Sequence, residues 1–453
     1  MPAPAAHNAA SRRIAASLIL AIFFACPLVD ASPAYASVQP TDIICGTTVA
    51  ERDAEHGYYP DINAPSAFMV TKDGRVLFER DADREVKIAS ITKTMTAILA
   101  LEHAAPEETL TVDHAAATVG ESSAELKEGD TLSVHDALKA LMIPSGNDAA
   151  IALADYIGAK IAANGQAPYD AFVDAMNAKA RELGMDHTVF ANPHGLDFNG
   201  WEGDFHSTAR DVATMFSYAM QNDGFRALTA EPDNHITVTG SDGTQREITM
   251  KTHNVLLGTD GNIGGKTGTT YEALSCFVGA FDRETGGEIY TVVLGSENDD
   301  LRWQDTRALE TWYYNNWVQY PLMGVADASK PQAIARIGLS SWSDKSVRAT
   351  IDNPRSTATV FAPDGPVSME LSQDGAPGKV QKGDTVGTIT LKQNGRTIGT
   401  ADLISMDNQT EPDVAEWLMV QMDRLVRFVT GKPTSMPNEL LIDPIDPGAL
   451  VQR

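Results

Sequence analysis

Cysteine and positive charge are both scarce in this chain of 453 residues. Three Cys are too few for a disulfide-rich mini-domain or a Cys-based zinc ribbon. The 35 Lys and Arg face 61 Asp and Glu, and the resulting formal net charge of −26 repels phosphate backbones, so we expect no nucleic-acid partner. The sequence also lacks an HExxH motif or another convincing set of metal ligands, and we expect neither a metal nor a cofactor.

The first 36 residues have the pattern of a secretory signal peptide. Arg12 and Arg13 form a basic start, residues 14–29 are mostly apolar, and an Ala-Tyr-Ala cleavage pattern ends at Ala36. The apolar run is too short for an ordinary membrane span. We therefore expect an exported, extracytoplasmic protein. Removal of the signal leaves Cys45 and Cys276, which either form a disulfide, as the oxidising exterior permits, or stay as two separate buried thiols.

Apolar sequence is ample, with 43% hydrophobic and 21% charged residues, which excludes a disordered or coiled-coil chain. Strand patterns stand on both sides of a helical block: a hairpin is predicted at 67–71 and 75–79, a helix-rich run at 90–220, strands at 275–281 and 288–294, and a helix at 301–317. One buried face of the helix-rich run is predicted to contain Ile91, Met95, Ile98, Leu99 and Leu101. The two ends of this region then form an antiparallel sheet with helices packed on it, which is an α/β (α+β) fold.

The composition changes near residues 322–332, and short β-rich runs follow up to residue 404. The last two are joined through Asn394-Gly395, a strong hairpin signal. We place a signal peptide at 1–36, a catalytic domain at 37–325, a small all-β sandwich domain at 326–409, and an amphipathic helix with a tail at 410–453.

Apolar residues repeat at helical spacing in the segment 412–430. This helix either lies in a membrane interface as a peripheral anchor or packs its apolar stripe on the β domain. The Pro-rich tail from Gly431 is expected to be poorly ordered.

Ser90 and Lys93 form an SxxK pattern at the predicted start of a helix. Residues three apart on a helix project from the same side, so the amine lies near the hydroxyl. A serine needs a base to become a nucleophile, and a Lys of lowered pKa can serve. The helix N-terminus favours the uncharged amine and stabilises negative charge beside Ser90.

Two further motifs follow in order. Ser145 and Asn147 form an SxN pattern in a turn after Pro144, where the hydroxyl can point inward and relay a proton and the amide can bind a substrate backbone. The alternative is that Ser145 is a plain helix cap. Lys266-Thr267-Gly268 precedes a strand hairpin, and a cation, a hydroxyl and a glycine on an edge strand can bind a carboxylate.

The ordered triplet resembles that of β-lactamases and penicillin-binding proteins. More specifically, the chain resembles the D-alanyl-D-alanine carboxypeptidases, the low-molecular-mass penicillin-binding proteins of the S11 peptidase family. The similarity covers about residues 60–410. It includes, besides the triplet, Phe190 to Asp197, His206 to Asp211, Asn254, Leu256, Leu257, Arg302, and in the β domain Lys382, Gly383, Asp384, Gly387, Ile398, Asp402 and Leu403.

The resemblance implies a β-lactamase/transpeptidase-like domain with a helical subdomain. It also implies removal of the terminal D-alanine from peptidoglycan pentapeptide stems through an acyl-enzyme, at the cell wall or the outer face of the cytoplasmic membrane, with β-lactam antibiotics acylating the same serine. The catalytic residues are then Ser90, Lys93 and Ser145. The substrate-binding residues are Asn147, Lys266, Thr267, Gly268, Thr269 and Arg302, and the amides of Ser90 and Thr269 form an oxyanion hole.

Two other functions share these motifs. A β-lactamase would need a glutamate-bearing loop for deacylation, and a wall-binding protein could keep the fold without turnover. His194 and His206 also permit a Ser-His-Asp interpretation, although Lys93 already fills the role of base and a structural His is favoured. His253, where many members of the family have Arg or another residue, and the 23-residue tail at 431–453 depart from the family's pattern.

Overall fold

The computed structural model describes residues 38–52, 59–232, 234–325, 332–372 and 375–451. The predicted signal peptide lies outside the described residues. Among the helices of the described part, none is long and apolar enough to cross a membrane.

The helices and strands follow one another as mixed elements. The α-helices of the described residues are α1 (Lys93–His103), α2 (His114–Thr118), α3 (Val134–Met142), α4 (Asn147–Ile161), α5 (Pro168–Glu182), α6 (Ala209–Ala219), α7 (Asp223–Thr229), α8 (Asp299–Asn315) and α9 (Val414–Val429). The strands are β1 (Ile43–Ile44), β2 (Thr47–Thr48), β3 (Ser66–Thr71), β4 (Val76–Arg80), β5 (Thr109–Thr111), β6 (Thr131–Ser133), β7 (Asn234–Thr239), β8 (Gln245–Met250), β9 (Asn262–Thr270), β10 (Leu274–Arg283), β11 (Gly287–Ser296), β12 (Trp317–Pro321), β13 (Ala335–Gly338), β14 (Ser346–Ile351), β15 (Thr357–Phe361), β16 (Val367–Leu371), β17 (Thr385–Gln393), β18 (Arg396–Ser405) and β19 (Glu439–Leu440).

The main sheet joins the two ends of the first domain, as the sequence predicts. Its seven strands run in the order β2-β1-β4-β3-β11-β10-β9, and β3 pairs antiparallel with β11 across more than 200 residues of chain. Both faces are covered because apolar residues point alternately to each side. Val292 and Leu294 pack on the side of α1 and α6, while Ile289 and Val293 pack on the side of α8. The strand β9 forms one edge of this sheet.

Helix α1 is more deeply buried than the sequence indicates. Of the predicted face, Ile91, Met95, Ile98 and Leu99 are buried and Leu101 is partly buried. Thr94 and Thr96 on other faces are fully buried too. A helix buried all round lies in the centre of a domain rather than on its surface. The SxxK motif at its start therefore lies deep in the protein, between the sheet and the helical subdomain.

The second domain is a β structure, built around a six-stranded sheet in the order β16-β17-β18-β14-β13-β19. The predicted hairpin joins β17 and β18, and Asn394 and Gly395 both adopt positive φ, as a two-residue hairpin turn requires. Its core also takes side chains from the preceding segment, including Val318 and Tyr320. The domain boundaries stay a prediction.

The expectation of a poorly ordered tail is wrong for residues 431–451. Strand β19 pairs with β13, and apolar side chains such as Ile442 and Ile445 pack against the second core. The proline content of the tail predicts little regular structure, but burial of its apolar side chains against the second core holds the segment in place.

The amphipathic helix α9 forms within the predicted segment, with Asp413 as its N-cap in a capping box. Its apolar stripe does not pack on the β domain: Val420 is buried there, but Trp417 is 52% and Phe428 75% exposed. Of the two interpretations, packing of the stripe is therefore wrong for this helix.

The two cysteines that remain after residue 36 are free thiols. Cys276 is buried on β10 and Cys45 is partly buried beside Arg75. The sequence left open a disulfide or two separate thiols, and in the structure Cys45 and Cys276 are separate thiols.

Candidate active site

Ser90 lies in a 3₁₀ turn, Ala89–Thr92, which leads directly into α1. Ala89 adopts a φ of 47°, in the left-handed region that side chains rarely occupy. The turn is pressed against the loop that contains Gly195, where a Cβ would lie 1.9 Å from the carbonyl oxygen of Ala89. Backbone strain of this kind concentrates at functional sites, and the close packing against Gly195 leaves the turn little room to move.

The amine of Lys93 is fully buried and lies 2.7 Å from Ser90 Oγ. It also contacts Ser145 Oγ at 3.3 Å, Asn147 Oδ1 at 2.7 Å and the carbonyl oxygen of His194 at 3.3 Å. Burial, and secondly the charge of Lys266, hold the pKa of Lys93 well below its ordinary value. A neutral amine at hydrogen-bond distance from a serine hydroxyl is able to accept its proton.

Ser145 is not a helix cap. The N-cap of α4 is Gly146, and Ser145 instead adopts a φ of 62°. In this position its hydroxyl lies between two buried amines, 2.8 Å from Lys266 Nζ and 3.3 Å from Lys93 Nζ. The hydroxyl thus links the SxxK lysine to the lysine of the edge strand.

Asn147, the first residue of α4, holds two parts of the site together. Its Oδ1 accepts a hydrogen bond from Lys93, and its Nδ2 donates to the carbonyl oxygen of Gly120 at 3.0 Å. Its backbone N–H donates to the carbonyl oxygen of Ser122 at 2.7 Å. The loop around residues 120–122 is therefore fixed relative to Lys93.

Lys266, Thr267 and Gly268 lie on the edge strand β9, as predicted. A Cβ at Gly268 would lie 2.5 Å from the carbonyl oxygen of Ile88 and 3.2 Å from the backbone nitrogen of Ser90, so only glycine lets the strand approach the serine turn. Lys266 is buried, and desolvation with the charge of Arg302 lowers its pKa to about 7.

Arg302 of α8 reaches the end of the same strand. Its guanidinium donates to the carbonyl oxygen of Gly268 at 3.3 Å and to Thr269 Oγ1 at 3.1 Å, and it forms an ion pair with Asp299 at 3.0 Å. The side chain is buried, yet its Nε lacks a hydrogen-bond partner among the described residues. A buried cation with an unused donor is suited to an anionic ligand.

Two cavities meet at Ser90. One, of about 500 Å³, extends over Ser145, Thr267 and Arg302 and is also lined by His253 and Trp303. Burial and the charge of Lys266 lower the pKa of His253.

The other cavity, of about 340 Å³, extends in the direction of α4 and the residues after β9. Its lining includes Glu121, Asn147, Leu196 and Tyr271. The cleft therefore has one lobe whose lining includes the cations Lys251 and Arg302, and a second lobe whose lining includes neither Lys nor Arg.

The side chains of His194 and His206 contact groups other than Ser90. The imidazole of His194 is buried, its Nδ1 accepts a hydrogen bond from the backbone of Leu196, and its ring packs edge-on against Trp201 with 4.5 Å between centroids. His206 lies near the carboxylates of Glu85 and Asp204. In the part of the chain that the structure describes, no group of three or more His, Cys, Asp or Glu side chains is placed to hold a metal.

Sequence reasoning assigned no role to three features of the site: the carbonyl oxygen of His194 on the lysine, the close approach of Gly195, and the loop at Glu121. The only sequence signal for these contacts was Gly195 beside His194, and a glycine does not indicate which segment it contacts.

Residues 52–298, more than half of the chain, match the model of the family described as D-alanyl-D-alanine carboxypeptidase. The chain belongs to the D-alanyl-D-alanine carboxypeptidase family. The resemblance inferred from the motifs is thereby confirmed, and as a member of this family the chain is a serine-type peptidase.

Relatives extend the similarity beyond the first domain. D-alanyl-D-alanine carboxypeptidase DacC of Escherichia coli is 31% identical over 373 residues, which is 78% of this chain and 86% of the relative. D-alanyl-D-alanine carboxypeptidase DacF of Bacillus subtilis is 26% identical over 375 residues, 81% of this chain and 90% of the relative.

Solved structures agree on the fold. The Streptomyces K15 DD-transpeptidase superposes with a TM-score of 0.52 at 31% identity, covering 56% of this chain and 98% of its own. The carboxypeptidase DacD of Francisella tularensis, at 22% identity, covers 80% of this chain and 98% of its own with a TM-score of 0.53, which supports the fold alone. The predicted fold class, with a DD-peptidase-like domain and a small β domain, is confirmed.

Proposed function

We propose that this chain removes the terminal D-alanine from peptidoglycan pentapeptide stems through a covalent acyl-enzyme on Ser90. The observation that carries the proposal is the buried Lys93 amine 2.7 Å from the Ser90 hydroxyl, with Ser145 linking it to Lys266. The family to which the chain belongs supports the substrate class. We assign the chemistry to residues 37–325.

In the acylation step, neutral Lys93 accepts the proton of Ser90 while Oγ attacks the carbonyl carbon between the two D-alanines. The resulting oxyanion lies between the backbone N–H groups of Ser90 and Thr269. Gly268 supports this assignment, because it lets the strand that carries Thr269 come within contact of the Ser90 backbone. Asn147 orients the peptide while keeping its hydrogen bond to Lys93.

The leaving D-alanine needs a proton and a partner for its carboxylate. Ser145 passes a proton from Lys93 to the departing amine, since its hydroxyl contacts that lysine. Lys266, Thr267 and Arg302 hold the terminal carboxylate, a charge-assisted interaction. Water then hydrolyses the ester on Ser90 and restores the enzyme. A β-lactam acylates Ser90 in the same way, but its ring-opened product stays attached and hinders the water.

The test measures D-alanine released from a peptide ending in D-Ala-D-Ala. We expect release by the wild type and none by Ser90→Ala, and the same variant should lose covalent labelling by a fluorescent penicillin. Ser241→Ala, which removes an exposed hydroxyl from the turn between β7 and β8, serves as the control and should retain both. Undiminished release from Ser90→Ala would refute the mechanism.

We also propose that the mature protein acts outside the cytoplasm and rests on a membrane through α9. Its exposed apolar residues support this, since a row of such side chains needs an apolar partner. The row contains Val414, Trp417, Leu418, Met422, Leu425, Phe428 and Val429. Arg427 forms an ion pair with Asp423 and Arg424 donates to the carbonyl oxygen of Ser340, so binding should depend mainly on apolar burial.

Flotation with phosphatidylcholine vesicles tests the membrane contact. The mature chain should float, and Phe428→Glu should remain in the soluble fraction. Thr397→Glu, which adds the same charge on the exposed side of β18, should float like the wild type. A wild-type protein that stays soluble without salt or detergent contradicts the anchor.

A further inference from the structure

The direction of the substrate in the cleft follows from the proposed function, on which this inference rests. If the terminal carboxylate lies with Lys266 and Arg302 in the first lobe, the peptide continues past Ser90 into the second. The side chain of the residue before the two D-alanines then enters the lobe that contains Glu121, Asn147, Leu196 and Tyr271.

The segment that carries Glu121 is fixed to the catalytic machinery. Asn147 binds the carbonyl oxygens on both sides of it, those of Gly120 and Ser122. A few residues on, the buried carboxylate of Asp148 accepts hydrogen bonds from the backbone of Ala124 and Leu126. The position of Glu121 relative to Lys93 is thus set by the same asparagine that contacts the lysine.

Glu121 itself is unusual in two respects. Its backbone has a φ of 61°, in the left-handed region that residues other than glycine rarely adopt. The preceding residue, Gly120, also has a positive φ. Its side chain is exposed, and within the described ranges its carboxylate has no ion-pair or hydrogen-bond partner. A strained acidic residue that faces a substrate lobe and satisfies no internal contact has a carboxylate available for a ligand.

We propose that Glu121 recognises a primary amine at the end of the side chain that precedes D-Ala-D-Ala, as in a stem peptide with an ω-amino acid at that position. The aliphatic part of such a side chain would lie along Leu196, Phe198 and Tyr271, which line the same lobe. The amine then pairs with the carboxylate, so Glu121 is a specificity-determining residue for the acyl donor.

Two peptides that differ only in this amine test the proposal: Nα-acetyl-L-Lys-D-Ala-D-Ala and its Nα,Nε-diacetyl form. We expect the wild type to favour the free amine by about twofold to fivefold in kcat/KM, the size of an exposed ion pair. Raising NaCl to about 0.5 M, where the Debye length is about 4 Å, should reduce the preference.

The variants separate recognition from other roles. Glu121→Gln should bring the kcat/KM ratio of the two peptides close to one, and Glu121→Asp should keep part of the preference. Glu125→Gln removes a second exposed carboxylate of the same loop, also at positive φ and outside the cavity lining, and should keep the wild-type ratio.

Three results would overturn the inference. Equal rates for both peptides in the wild type refute recognition of the amine while leaving the carboxypeptidase activity intact. An equal loss of kcat/KM for both peptides in Glu121→Gln would mean that the carboxylate supports the loop or the acylation step without recognising the amine. Failure of the wild type to release D-alanine from either peptide would refute the proposed function itself.

Discussion

The contact between Gly195 and the serine turn allows a sharp test of how the site is held. In Gly195→Ala the new Cβ would lie 1.9 Å from the Ala89 carbonyl oxygen and 2.8 Å from Thr92 Oγ1. Real Cβ atoms do not come closer than 3.0 Å to such an atom, so the loop or the turn must move by about 1 Å. That movement would displace the carbonyl oxygen of His194, which lies 3.3 Å from Lys93 Nζ.

A matched variant separates this overlap from the cost of the backbone conformation. Gly184 has a φ of +73°, similar to the +87° of Gly195, but its Cβ would meet nothing within 4 Å. Both alanine variants therefore bear the cost of a left-handed residue, about 1–2 kcal/mol, and only Gly195→Ala displaces the active site. A displacement of 1 Å near reacting groups lowers rates by about 100-fold.

The assay is the second-order rate of acylation by a fluorescent penicillin, measured well below the midpoint of thermal unfolding of each variant. We expect Gly184→Ala to acylate at the wild-type rate with a lower free energy of unfolding, and Gly195→Ala to acylate about 100-fold more slowly. Equal acylation rates for the two variants would show that the loop does not position Ser90 and Lys93, and the reasoning would fail.

Four further predictions concern buried polar groups. Because folding lowers the pKa of Lys266 from 10.5 to about 7, the unfolded chain binds more protons than the folded chain between about pH 7 and 10.5. The free energy of unfolding, measured by chemical denaturation, should therefore rise with pH across that window. Lys266→Met should remove part of this rise. For substrate binding we expect the opposite trend, with KM for the peptide increasing above pH 7 as Lys266 loses its charge, and a flat profile would contradict this. Ser145→Ala should lower kcat for D-alanine release by about 100-fold or more with little change in KM, and an unchanged kcat would exclude the proton relay. The buried guanidinium of Arg80 donates from Nε to Asp42 Oδ1 at 2.8 Å and from Nη2 to Asp42 Oδ2 at 2.6 Å. Asp42→Ala removes this carboxylate and should lower the free energy of unfolding by about 3–5 kcal/mol in a denaturant titration. A loss below about 1 kcal/mol would show that water replaces the carboxylate.

The motifs of the site were readable because each depends on local chemistry. Ser90 and Lys93 are adjacent through the spacing of one helical turn, and the glycine of the KTG motif indicates an edge strand that comes close to another segment. Hairpins were predicted well for the same reason, since Asn394 and Gly395 suit a turn that needs two positive φ angles.

The sequence was less informative where the outcome depends on contacts across the fold. It left open whether Ser145 is a helix cap or points inward, and the φ of 62° that turns its hydroxyl to the two lysines is not indicated by a local pattern. The prolines of the tail after Gly431 predicted poor order, but its apolar side chains pack against the second core. The apolar stripe of α9 is the converse case, since a periodic pattern predicts the helix without saying whether the protein covers it.

By itself the sequence predicted which groups take part in the proposed reaction: a hydroxyl and an amine one turn apart, a second serine with an amide, and a cationic edge strand. Local geometry is enough for that, because spacing along a helix or a strand fixes which side chains share a face. Only the tertiary structure brought together Lys93, Ser145 and Lys266, which are separated by up to 173 residues, and buried the two amines so that their pKa values fall. Desolvation is a property of everything packed around a group, so the base that this chemistry needs exists only in the folded protein.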